Sequence, residues 1–195
     1  MERSDRLAFL RPGPLGVAVA FAVAVSHPTE AQVLPLEEAL RLAFPTADTV
    51  QRRTAYLDQG QLALISDVSG SDVEPPPGVV AYYVAFEGGN PAGVAYFDAH
   101  RVRTLDQVLM IVVGADDRVR RIETVSFREP PEYEAPKRWL ELFRQRALNP
   151  DLSLKGDIPN LTGATLTARA VTQAVRRVLA LHEVISPLNP GAGDP

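Results

Sequence analysis

Two pairs of β-forming runs constrain this chain most. The stretches "VVAYYVAF" and "VAYFDA" flank "EGGNPAG", and "QVLMIVV" and "RVRRIETVSF" flank "GADD". Branched and aromatic side chains suit a pleated, half-buried surface, and the Gly, Asn and Asp residues between the runs reverse the chain. Two consecutive hairpins predict an antiparallel sheet. Val119, Ile122, Val125 and Phe127 break strict alternation in the last run, which predicts a bulge or a twist. The 195 residues include no cysteine, so core burial alone must hold this sheet, and thiol ligation and disulfide chemistry are excluded.

Helical patterns surround the hairpins, which makes the predicted fold class α+β: a mainly antiparallel sheet packed with helices. Leu36, Ala39, Leu40 and Ala43 share one helical face before Pro45 ends the pattern. A strand over "TVQRRTAYL" and a short helix over "DQGQLALISDV" follow, with Asp58 as the N-cap. "SGSDVEPPPG" reads as a loop. After the hairpins, "REPPEYEAP" is a rigid acidic loop and "KRWLELFRQRAL" a helix with Trp139, Leu140 and Phe143 on one side. In the last helix Val171, Val175, Val178, Leu179 and His182 form a buried stripe, and Arg169, Arg176 and Arg177 fall outside it as a solvated face. The expected organisation is a leader over 1–31, one domain over 32–185 and a flexible tail over 186–195.

The N-terminus carries the grammar of a secretory signal peptide: Arg3, Arg6 and Arg11, then the apolar "PLGVAVAFAVAVS", then small and polar residues. The apolar run is shorter than the roughly 20 residues of a membrane span. Cleavage after Ala31 is the expectation, and an uncleaved anchor is the alternative. Both place the domain outside the cytoplasm, in the periplasm or on the outer face of the cytoplasmic membrane. The net charge of -4 argues against a nucleic-acid partner, which calls for a basic patch.

The segment "DIPNLTGATLTARAVTQAV" places three threonines, a glycine and an alanine ahead of the last helix. Two readings are open. Thr162, Thr165 or Thr167 caps the helix while Gly163 shapes the turn. Alternatively, the unpaired N–H groups and positive dipole end of the helix bind a phosphate, and the small Gly163-Ala164 pair lets a bulky ligand approach the backbone.

"TGATLTARAVTQAV" resembles the flavin-attachment segment of the FMN-binding domain family, found in subunits of the sodium-pumping NADH:quinone oxidoreductase and the Rnf electron-transport complex. The resemblance extends over about residues 79–182 and takes in the Glu-Pro loop at Glu129, Pro130 and Pro131. It implies an exported α+β domain carrying FMN through a phosphoester to the last residue of a Ser/Thr-Gly-Ala-Thr signature. Here the signature is Thr162, Gly163, Ala164 and Thr165, so Thr165 is the implied attachment point, with Leu166, Thr167 and Glu129 beside the cofactor. The implied partners are a flavin transferase that attaches FMN and membrane redox proteins. Pro159 stands where the family usually has the aspartate recognised for attachment, and Asp157 lies two residues earlier.

The implied role is an electron-transfer relay with no catalytic side chain of its own, since a cofactor of this kind carries the chemistry. A cofactor-free envelope binding or interaction domain with the same fold is the alternative, and a flavin reductase would require a nicotinamide site that the sequence does not display. Asp98 and His100 are potential metal ligands, but two ligands fall short of a zinc site. His182 reads as a core histidine. Glu129, Glu132 and Glu134 are either an acid/base system or an exposed acidic loop, and Tyr133 or Trp139 is placed against the flavin.

Overall fold

The computed structural model describes residues 33–189, so the expected leader lies outside the described residues. Five strands form one antiparallel sheet in sequence order: β1 (Thr49–Tyr56), β2 (Val79–Glu87), β3 (Asn90–Arg101), β4 (Asp106–Gly114) and β5 (Val119–Phe127). Helices α1 (Leu36–Ala43), α2 (Gln59–Ser69), α3 (Lys137–Leu140) and α4 (Thr165–Ile185) complete the α+β fold. The order is a meander: short turns join β2 to β3, β3 to β4 and β4 to β5, and the segment carrying α2 joins β1 to β2.

Turn chemistry shortens the first hairpin loop relative to expectation. Gly88 and Gly89 both take positive φ, +57° and +79°, so two residues reverse the chain and β3 begins at Asn90. The irregular pattern in β5 is two bulges. Its register against β4 shifts between Val108 and Leu109 and again between Val112 and Val113, skipping Val125 and Arg120 on β5. Each bulge changes which face the next apolar residue meets. Val119 and Ile122 therefore join the core on one side and Val125 the cluster on the other.

The sheet is covered on both faces. On one, Tyr82, Val84, Val94, Tyr96, Leu109 and Ile111 pack against α4 and α2. On the other, α1 lays Ala39 and Leu40 over Ala95, Met110 and Val112. Asp58 starts α2 with a capping box: its carboxylate accepts from the Gln61 backbone N–H at 2.8 Å, and the Gln61 side chain accepts from the Asp58 N–H at 3.1 Å.

Three sequence expectations need correction. The helix over "KRWLELFRQRAL" is only α3 followed by a 3-10 turn, Glu141–Phe143. The chain then leaves the helical path to bond the edge of β5, with Val119 N–H donating to Arg146 O at 2.9 Å and Gln145 N–H to Val119 O at 2.8 Å. Arg176 and Arg177 are not a solvated face. Arg176 donates to the carbonyls of Ser69 (2.6 Å), Asn149 (2.8 Å) and Leu152 (3.0 Å), and buried Arg177 grips Asp98 with two bonds of 2.8 Å. The start of the expected tail is docked too, since Leu188 packs on the core and Arg53 donates to Pro187 O at 3.3 Å.

Candidate functional site

The turn before α4 is built on Gly163, whose φ of +84° is a region that side-chain-bearing residues disfavour. The turn closes through Ala164 N–H to Leu161 O at 3.0 Å, and Ala164 is the N-cap. No side chain caps the helix, which corrects the capping reading of the threonines. Thr165, Leu166 and Thr167 are the first three helical residues, so their N–H groups have no intrahelical acceptor; Ala168 is the first to bond back, to Ala164 O at 3.0 Å. Those free N–H groups and the aligned peptide dipoles make this helix entrance attractive to an anion.

A cleft of about 250 Å³ opens at this entrance. Gly163, Ala164, Thr165, Leu166 and Thr167 form one wall, Glu129 and Tyr133 another, and Val102 and Arg103 of the β3–β4 turn a third. Thr165 is exposed, and a Cβ on Gly163 would meet nothing within 4 Å, so the entrance is open to a bulky group. Thr162 is exposed on the turn but does not line the cleft. Thr167 is buried and donates to Tyr133 O at 2.7 Å, which ties α4 to the acidic loop.

Glu129 departs from the expected exposed acidic loop. Only 7% exposed, its carboxylate accepts from the backbone N–H groups of Thr104 (2.6 Å) and Leu105 (2.8 Å) and from the Thr104 hydroxyl (3.2 Å). The Thr104 N–H, then that of Leu105, hold this carboxyl below its ordinary pKa. Ionised Glu129 therefore clamps the β3–β4 turn against the loop after β5 and fixes two walls of the cleft. Glu132 and Glu134 remain exposed. Trp139 does not line the cleft; it is buried, and its indole N–H donates to Pro159 O at 2.8 Å. Asp157 pairs with Arg146.

Arg103 was missed by the sequence reading. It lies outside the helix signature, 59 positions before Thr162, and only the sheet register carries it to the same cleft. The run "RVRT" between two strands was the available signal, a basic turn with nothing in the sequence to say what it faces.

Asp98 and His100 are bound into a network: His100 Nδ1 meets Asp98 Oδ1 at 2.8 Å, and Arg177 holds both carboxylate oxygens. Burial pushes the Asp98 pKa up, but the His100 and Arg177 bonds outweigh it and leave the group below its ordinary value. Among the described residues no cluster of three potential metal ligands gathers. His182 is the core histidine: buried, it meets the Tyr96 hydroxyl at Nδ1 (2.9 Å) and Asp117 at Nε2 (3.2 Å). Burial lowers its pKa more than Asp117 raises it, and burial raises that of Tyr96, so the hydroxyl donates to Nδ1 and Nε2 carries the imidazole proton.

Residues 106–180, from β4 into α4, match the family model of the FMN-binding domain. This chain carries an FMN-binding domain. Its cofactor is FMN, and the protein is a flavin-binding protein. The matched segment of the FMN-binding domain contains the helix entrance, Glu129 and Tyr133, and the chain before it supplies Val102 and Arg103. A comparison with curated proteins gave no match.

The residues present suit this cofactor. The open helix N-terminus and Arg103 suit a phosphate, Thr165 carries a hydroxyl at the mouth, and Leu166 and Tyr133 offer apolar surface for a ring.

Proposed function

We propose that FMN is esterified through its phosphate to Thr165 and that the protein is an exported electron-transfer relay serving a membrane redox chain. The observation that supports this most is the exposed Thr165 hydroxyl, which makes no hydrogen bond to any described residue, at the entrance of an uncapped helix. A structural threonine at this position would be expected to cap or to pack; this one faces the cleft.

Each wall has a role in this reading. The N–H groups of Leu166 and Thr167 stabilise the phosphate charge, Arg103 adds a cation, and Glu129 keeps the Arg103 turn in place. The cleft's 250 Å³ is below the roughly 300–1,000 Å³ of sites that enclose a whole small molecule. It holds part of the cofactor and leaves the remainder reachable by a partner, as a relay requires. FMN, when bound, supplies one- and two-electron transfer.

Forming the ester needs an activated phosphoryl donor. A flavin dinucleotide would provide one: the Thr165 oxygen would bond to the flavin-side phosphorus as the bond to the bridging oxygen broke, with a nucleoside monophosphate as the leaving group and the hydroxyl proton taken by a base of the transferase. Oxidation states do not change in this step.

The test is co-expression of the full chain with a flavin transferase, followed by denaturing electrophoresis read for flavin fluorescence and by mass spectrometry. Wild-type protein should carry one FMN increment and Thr165→Ala none. An increment retained by Thr165→Ala would move the attachment point elsewhere. No increment on wild-type protein would leave FMN bound without a covalent bond, with Pro159 in the aspartate position as the reason to test first.

A further inference from the structure

The hairpin between β2 and β3 is zipped only at its turn end. Pairing runs from Glu87 with Asn90 to Tyr82 with Tyr96 and stops there. The same register continued would join Ala81 to Phe97, Val80 to Asp98 and Val79 to Ala99. Instead residues 79–81 pair with β1 alone, ending at Tyr56 with Val79. Residues 97–101 pair with β4 alone, ending at Arg101 with Asp106. Two strand edges thus diverge with no ladder between them, and a cleft of about 1020 Å³ fills the fork. Leu36 of α1 and Ala170, Gln173 and Arg177 of α4 all line it, so it reaches both faces of the sheet.

Each arm is laddered to its outer neighbour, residues 79–81 to β1 and residues 97–101 to β4, and each has a further anchor. The start of β2 is held by the Leu57 N–H donating to Gly78 O at 2.7 Å. The end of β3 is held by the buried Asp98–Arg177 pair, whose guanidinium also donates to Glu74 O at 3.0 Å. Unladdered strand edges offer N–H and C=O groups to any extended chain that reaches them. The cleft is at or above the upper end of the roughly 300–1,000 Å³ of small-molecule pockets, and its lining takes in residues 79–81 of β2 and 96–101 of β3.

We propose that this fork receives an extended, basic segment of a partner protein as an added strand. Alternate side chains of such a segment would meet the Tyr83–Phe97 edge-to-face pair on one side of the sheet and Ala170 and Val178 on the other. The basic character follows from the rim charges. Asp98 is neutralised by Arg177, and Arg101 faces Asp106 at 3.6 Å, whereas the exposed lining acids Asp72 and Glu74 form no ion pair among the described residues. The strand that leaves the fork at Arg101 continues directly into Val102 and Arg103 of the FMN cleft, so a docked segment lies beside the cofactor site. The inference rests on strand pairing and holds whether FMN is covalent or not.

The test is amide hydrogen exchange on the full chain, alone and with a capped eight-residue peptide of alternating valine and lysine or its valine-glutamate counterpart. The lysine peptide should slow exchange at least tenfold within both 79–81 and 97–101, with little effect from the glutamate peptide. Asp72→Lys combined with Glu74→Lys, both exposed positions, should reverse that preference. Unchanged exchange with either peptide overturns the proposal, as does protection confined to the outer edge of β1. Protection present without peptide, with a dimer by light scattering, assigns the fork to a second copy and overturns it too. Binding whose charge preference survives the double substitution overturns the basic partner.

Discussion

Thr165 and Thr167 stand two positions apart and have opposite structural weight. Thr165 is exposed and caps nothing, so Thr165→Ala should change stability by no more than about 0.5 kcal/mol, the range of ordinary surface substitutions. Thr167→Ala leaves the buried side of the Tyr133 carbonyl without its donor, at about 1–3 kcal/mol. Urea denaturation of both variants checks the contrast, and equal losses would mean that Thr165 has a structural contact absent here. Glu129→Gln removes the charge that accepts from Thr104 and Leu105. Because the folded pKa of Glu129 lies below the unfolded one, its contribution is present above the ordinary value of 4.5 and is lost as pH falls through the lower folded value. The stability gap between wild type and Glu129→Gln should therefore be open at pH 7 and shrink in acid; a gap independent of pH would mean that shape, not charge, holds the turn.

At the scale of elements, the entry to α4 depends on one backbone angle. Gly163→Ala meets no steric obstacle, since nothing lies within 4 Å of the added Cβ, but it forces a side-chain-bearing residue to φ +84°. The expected loss is roughly 1–2 kcal/mol, the left-handed penalty, with the helix entrance shifting if the turn relaxes. Weaker FMN loading together with that loss is the expected signature. On the same helix, Arg177→Ala strands the Asp98 carboxylate in a site where both side chains are 10% exposed, and breaking a buried pair in this way costs about 3–5 kcal/mol. Thermal unfolding should show it as one of the larger single-residue losses in the domain. It should also loosen residues 97–101, since this pair anchors the free arm of β3.

For the whole molecule, acid should act in two stages. His182 is held neutral by burial, with a folded pKa below 6.5, so its contribution is present above 6.5 and is lost first as pH falls through the lower folded value. Asp98 and Glu129, both lowered, lose theirs only below the ordinary carboxylate range. Urea midpoints measured from pH 8 to pH 3 should fall in two steps, and His182→Gln should remove the upper one. An upper step that persists in that variant would assign the transition to another group, and a single step in wild type would overturn the two-stage expectation.

The hairpins, the final helix and the Thr-Gly-Ala-Thr run at its entrance were legible in the sequence, because these are set by local pattern: alternation with glycine turns, a 3.6-residue stripe, and four consecutive residues. The sequence also located Glu129 near the signature, through the resemblance. Tertiary structure decided the rest. Arg176 and Arg177 read as solvent-facing from the helical stripe, yet they are engaged by carbonyls and a carboxylate from distant segments, which no helical period can reveal. Arg103 reaches the cleft only because β3 and β4 pair in one register, and "KRWLELFRQRAL" abandons its helix because the edge of β5 offers backbone partners. The fork between β2 and β3 is the clearest case: the residues of its arms are ordinary strand formers, and only the ladders, which stop between β2 and β3 at Tyr82 and Tyr96 but continue to β1 and β4, reveal that the arms part.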